Sequence, residues 1–111
     1  MDMRYAERVS GWRDVTVAAG ATTTDSIDLL AACDFMQIYI PTITLGTVGI
    51  QVASTLTGTF ASLGENQTTP SSTGNFYEVF FIGRFRYIKV VCSAAQGAMR
   101  TFSLVGLKKT N

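Results

Sequence analysis

Apolar and polar residues alternate with a period of two along most of the chain. Residues 12–18 set Arg13, Val15 and Val17 against Trp12, Asp14 and Thr16, the pattern of a strand with one face in water. Residues 19–21 turn the chain. The Thr-rich run 22–30 ends in a second short strand, with Ile27 and Leu29 inward and Asp28 outward. A bridge at 31–34 leads to residues 35–40, where Met36, Ile38 and Ile40 share one face and Phe35, Gln37 and Tyr39 the other. Pro41 ends this strand because it has no N–H to give a ladder. Residues 48–54 point Val48, Ile50 and Val52 inward and Gly49, Gln51 and Ala53 outward. After a turn at 55–58, residues 59–63 offer Phe60 and Leu63 as plugs for the core.

Residues 64–75 are polar and contain Pro70 and Gly74, which predicts a long loop of the kind that is often functional or mobile. Residues 76–82 form a hydrophobic strand whose only charge is Glu78. Two further runs, 86–93 and 100–108, are rich in β-branched and aromatic residues and are joined by the small-residue stretch 94–98. They predict the central strand pair of the fold, with Ile88, Val90, Cys92, Phe102 and Leu104 facing inward. Residues 1–11 lack alternation, and Gly11 interrupts the helical spacing of Arg4, Glu7 and Arg8, so they predict an N-terminal arm. Residues 12–111 then form one domain. Seven or eight short strands, turn signals about every ten residues and no helix predict an all-β, antiparallel, jelly-roll-like β-sandwich.

Composition narrows what such a sandwich does. A chain of 111 residues is one domain's worth and buries roughly two thirds of its unfolded surface. Charged residues are 15% of the total, against a usual ~25%. A surface so poor in charge favours association, which points to a protein that lives in an assembly. The net charge of +1 gives no bulk attraction to nucleic acid or to an anionic membrane. There is no histidine, which removes the commonest general base and metal ligand and every Ser-His or Cys-His arrangement. Cys33 and Cys92 are too far apart in sequence for a zinc motif; they read as two buried thiols, with a disulfide open if the fold brings them together. The first residues lack the apolar core of a signal peptide, and no apolar run approaches the ~20 residues of a membrane helix, so synthesis in a cytoplasm is expected.

Candidate chemistry is sparse. Asp25 and Asp28 supply too few oxygens for a Ca²⁺ loop. No phosphate-cradling glycine loop, nucleophile elbow or acid pair stands out, so no catalytic, metal or cofactor site is expected and the protein reads as a non-enzyme. Arg84, Arg86, Lys89 and Arg100, interleaved with Phe85 and Tyr87, read as a sheet surface or protein interface in preference to a single-strand nucleic-acid platform. Candidate interface residues are Arg4, Tyr5 and Arg8 of the arm and the aromatics Trp12, Tyr39, Phe85 and Tyr87.

Several stretches in order, residues 15–29 (VTVAAGATTTDSIDL), 36–41 (MQIYIP), 50–63 (IQVASTLTGTFASL), 85–93 (FRYIKVVCS) and 100–108 (RTFSLVGLK), resemble small β-sandwich proteins from the structural-gene modules of tailed bacteriophages and prophages. The second half is also similar to galactose-binding-like (discoidin-type) sandwiches, although the turn at 56–60 lacks the usual acid before its glycine. The resemblance implies a virion protein made in the host bacterial cytoplasm: a capsid decoration (cement) protein on the major capsid protein lattice, or a tail-associated component. Homo-oligomerisation, as a trimer for choice, is expected from the outward aromatics. The alternative is a carbohydrate-binding module of a host-recognition tip, with Phe76, Tyr77 and the 64–75 loop meeting the glycan.

Overall fold

A computed structural model describes residues 6–64, 68–70 and 74–109. It contains eight strands: β1 (Ala6–Arg8), β2 (Arg13–Val17), β3 (Ile27–Ile40), β4 (Thr47–Ala53), β5 (Ala61–Ser62), β6 (Thr68–Pro70), β7 (Phe76–Cys92) and β8 (Arg100–Lys109). All their pairings are antiparallel, and no helix occurs among the described residues.

Two strands are too long for one flat layer. β3 has 14 residues and β7 has 17. Their shared ladder slips register between Asp28 and Cys33 and again between Cys33 and Phe35. At the same level Leu30, Gly83 and Arg84 take left-handed backbone conformations, with φ of 74°, 67° and 72°. Extra residues on one strand bend a ladder and increase its twist. Here the bend turns a corner, so each long strand serves two sheets.

The early part of β3 pairs with the late part of β7 (Ile27↔Ile88), and the late part of β3 with the early part of β7 (Ile38↔Glu78). β8 joins the late part of β3, and β4 joins the late part of β7. Counted along the chain, the first segment (β2) pairs with the last (β8), the second with the seventh, the third with the sixth, and β4 with β5. A long antiparallel hairpin rolled up in this way is a jelly roll, two sheets packed face to face. One sheet runs β2, β8, late β3, early β7; the other runs early β3, late β7, β4, β5. β1 extends the first sheet along the end of β8, with Ala6 opposite Lys109, and β6 pairs with β4.

The core is what the alternation requires. Val17, Met36, Ile38, Ile40, Phe80, Ile82, Phe102 and Leu104 point inward from the first sheet and meet Ile27, Leu29, Val48, Ile50, Val52, Ile88, Val90 and Cys92 from the second. Each large side chain buried this way contributes roughly 1.5–3 kcal/mol. Cys33 bulges into the same space. A Cβ on Gly106 would stand 2.5 Å from its Sγ, so the glycine is what admits the thiol. Cys33 and Cys92 are both buried and free.

The expected pair of runs 86–93 and 100–108 is not a hairpin. β3 lies between β7 and β8, because residues 94–98 cross from one sheet to the other instead of reversing within one. That crossing is organised by Gln96, 2% exposed. Its Oε1 accepts from the Thr44 N–H (2.8 Å) and from Arg100 Nε (3.2 Å), and its Nε2 donates to the Ala94 carbonyl (2.9 Å). Its backbone bonds both Gly20 and Ala21. Three loops at one end of the sandwich are thus tied to one amide. Residues 31–34, expected as a bridge, lie inside β3, and the expected loop 64–75 contains β6; its residues 65–67 and 71–73 lie outside the described set. Leu63 packs on the core, whereas Phe60 lies beneath the Lys89 ammonium, 4.7 Å from its ring centroid.

Candidate interaction surface

Residues opposite one another in a ladder share a face. The outer face of the first sheet therefore carries three rows. Tyr77, Tyr39, Ser103 and Asp14 form one; Val79, Gln37 and Val105 the next; Phe81, Phe35, Leu107 and Arg8 the third. The Ser103 hydroxyl confirms the first row by donating to Asp14 Oδ1 at 2.6 Å.

Aromatic side chains concentrate here. Tyr77 stands against Trp12 edge-on (5.9 Å between centroids) and against Tyr39 at a tilt (5.2 Å). Phe35 and Phe81 form a second edge-on pair at 6.1 Å. The Arg8 guanidinium lies 5.8 Å from the Trp12 ring centroid. Trp12 precedes β2, beside β8, yet its ring meets that of Tyr77 on β7, two strands beyond β8. Tyr77 (69%), Phe81 (46%) and Trp12 (38%) remain exposed. The Tyr39 hydroxyl donates to Asn75 Oδ1 (2.7 Å), which locks that ring in place. Between these groups runs an open groove of about 240 Å³ lined by Arg8, Trp12, Gln37, Tyr77, Glu78 and Val79. Exposed aromatics flanked by a cation, an amide and a carboxylate suit recognition of a protein surface or a sugar ring.

Of the candidate residues, Arg8, Trp12 and Tyr39 come together on this face. Arg4 and Tyr5 lie outside the described residues. Phe85 is half-buried and packs against the core. Tyr87 belongs to the other sheet, where the Arg86 guanidinium stands 5.4 Å from its ring. Phe81, Gln37 and Glu78 complete the surface without having been singled out from sequence. The signal for Phe81 was there in the alternation of 76–82, which puts Tyr77, Val79 and Phe81 on the face opposite Phe80 and Ile82.

The basic strip is taken up pairwise. Arg86 grips Asp28 with two bonds, Nε to Oδ1 at 2.6 Å and Nη2 to Oδ2 at 2.9 Å. This contact, helped by the Leu30 N–H, holds the Asp28 carboxyl below its ordinary value. Arg84 meets Asp34 at 3.2 Å, and Asp34 also accepts the Lys109 N–H at 2.6 Å. Arg100 is engaged by Gln96 and Thr44. Burial pushes both thiols, Cys33 and Cys92, above the usual cysteine value, which keeps them protonated and unreactive. Among the described residues no three acidic or sulfur side chains converge as a metal site would need.

No protein-family model matches the chain, and no curated protein matches it in sequence. Among solved structures, the crystal structure of SPBc2 prophage-derived protein YomS is similar with a TM-score of 0.59 and 10% identity, over 90% of this chain and 97% of that one. A chain from the Bacillus endospore appendages, which form a novel family of disulfide-linked pili, aligns with a TM-score of 0.42 and 20% identity over 96% of this chain and 88% of its own. The similarity to the prophage-derived protein is one of fold, spanning both molecules nearly end to end.

Proposed function

We propose that this protein is a non-enzymatic structural component of a bacteriophage virion, a capsid decoration (cement) protein that binds the major capsid protein lattice. The observation that carries the reading is the exposed aromatic face of Trp12, Tyr77 and Phe81 on a jelly roll of low charge. Such a patch is out of place on a free monomer and in place on a subunit that docks. The shared fold with a prophage-derived protein and the sequence resemblance of residues 15–29, 36–41, 50–63, 85–93 and 100–108 to phage structural proteins support it. The test is co-sedimentation of purified protein with capsids that lack it. Saturable binding that falls at least tenfold in Tyr77→Ala and Trp12→Ala is expected. Absence of binding to shells, with binding to tails, moves the protein to a tail-associated role.

The groove beside Tyr77 favours one alternative, a carbohydrate-binding module of a host-recognition tip. It combines stacking rings with the hydrogen-bonding groups of Gln37, Glu78 and Arg8. Trp12, the single tryptophan, reports directly on that groove. Glycans that shift its fluorescence support this reading; a glycan array without hits on folded protein removes it.

A further inference from the structure

Among the described residues, the early part of β7 leaves the first sheet with an open edge. Residues 76–81 pair with β3 on one side, and β4 meets β7 only from Tyr87 onward. Among the described residues, no strand lies along the other side of 76–82. The direction of its backbone groups can be traced across the sheet. Val9 donates its N–H to the Gly106 carbonyl, so Gly106 and its even-numbered neighbours in β8 face β1 while the odd-numbered ones face β3. In an antiparallel ladder this alternation propagates through each register. Carried through Val105↔Gln37 and Ile38↔Glu78, it turns Glu78 and Phe80 toward β3 and Tyr77, Val79 and Phe81 toward the open edge. The Val79 N–H agrees: its partner is the carboxylate of Glu78 in its own strand, at 3.0 Å.

We propose that two copies of this chain pair along this edge, β7 against β7, antiparallel and centred on Val79. The strand is complementary to itself in that register. Val79 of one copy faces Val79 of the other, and Tyr77 faces Phe81 twice. All three are positions whose N–H and C=O point outward, so every pair is a hydrogen-bonded one. Tyr77 and Phe81, exposed in the single chain, become cross-strand aromatic neighbours, a pairing that stabilises sheets. Glu78 falls opposite Phe80, whereas a register centred on Glu78 would set two carboxylates face to face. A net charge of +1 per chain adds little repulsion. An uncovered apolar strand edge is otherwise an aggregation hazard. Glu78 acts as its guard: the carboxylate occupies the Val79 N–H and gives it up only to a carbonyl that arrives in register. The contact is isologous and closes at two copies, in place of the trimer expected from the sequence. It shares Tyr77 and Phe81 with the docking face, but its own test needs no other partner.

The test is the mass of the purified protein in solution against concentration, with three variants. A dimer of twice the 12.0 kDa chain mass is expected. Val79→Pro removes an N–H that β3 does not use, so the fold survives while the dimer loses two symmetric hydrogen bonds and weakens by about 30-fold or more. Phe81→Lys places a charge on the exposed outer face of the same edge and gives the same result if Val79→Pro fails to fold. Val79→Cys forms a disulfide between copies under mild oxidant, because a hydrogen-bonded cross-strand pair has its Cα atoms ~5.5 Å apart. Tyr77→Cys alone does not, and the Tyr77→Cys, Phe81→Cys double variant does. A monomer at all concentrations, a trimer, a dimer indifferent to Val79→Pro and Phe81→Lys, or self-linking of Tyr77→Cys overturns the proposal. These outcomes are read without capsids or glycans, so they stand apart from the proposed function.

Discussion

Replacing Gln96 with alanine tests whether one buried amide holds the end of the sandwich together. The side chain makes three hydrogen bonds, to the Thr44 N–H, the Ala94 carbonyl and Arg100 Nε. Each neutral bond is worth about 1 kcal/mol net, and one to a charged donor about 1.5 kcal/mol or more. Arg100 keeps its bond to Thr44, 3.4 Å from its Nη2, and recovers part of its loss through water. The Thr44 N–H and Ala94 carbonyl do not recover while that end stays closed, and a buried unpaired group costs about 1–3 kcal/mol. The expected destabilisation is about 3 kcal/mol, a large share of the ~5–15 kcal/mol available to a domain of this kind. Equilibrium urea unfolding reads it as a midpoint lowered by roughly 1–2 M at unchanged slope. Gln96→Glu keeps the acceptor for Thr44 and Arg100 but has no donor for Ala94, so it should cost about half as much. A loss below about 1 kcal/mol for alanine, or equal losses for alanine and glutamate, refutes the assignment of Gln96 as the tie between the three loops.

Other consequences are smaller or simpler to read. Gly106→Ala forces a Cβ against Cys33 Sγ and should cost about 1–3 kcal/mol, with part of the loss recovered in the Cys33→Ala, Gly106→Ala double variant; a strictly additive double variant counts against the contact. Both thiols should resist an aromatic disulfide reagent in the native state and react after denaturation, and fast native labelling would contradict their burial. Arg86 keeps the Asp28 carboxyl below its ordinary 3.8, so the pair adds stability above that value and loses it as pH falls through the lower folded value. The gain is small, because both side chains touch solvent. In acid unfolding the margin of the wild type over Asp28→Asn should shrink toward zero below pH 3.8, and a margin independent of pH removes the ion pair as its cause.

Much of the fold is legible in the sequence, and the limits have physical causes. Alternation at 36–40, 48–52 and 88–92 puts the right side chains inward, because burial of one strand face is a local property. Pairing is not local. Residues 86–93 and 100–108 are close in sequence, and the small residues between them resemble a reversal; the crossing is held by the buried Gln96, inconspicuous in that stretch, with Ser93 and Gly97 bonded to Thr47 and Thr44. The corner is likewise hidden. Gly83 signals it, but Leu30 and Arg84 adopt conformations that their residue types disfavour, sustained by the surrounding sheets. For the surface, Arg8, Trp12 and Tyr39 stand out by residue type. Their meeting at Tyr77 depends on three registers that no single strand contains.

The rolled hairpin also sets a timetable. Its first paired segment, β2, finds its partner only in β8, and β3 waits for both β7 and β8. A chain growing from a ribosome has no stable half to fold early. Until residues 100–109 emerge, the inner faces of β3 and β7 have no complete partner sheet, and Phe102 and Leu104 are missing from the middle of the core. Contacts this distant in sequence make folding slow, and unfinished strands are prone to find one another in other chains. Heavy demand for the protein in a short time therefore asks for chaperone capacity, or for a destination that captures each chain as soon as its last strand is home.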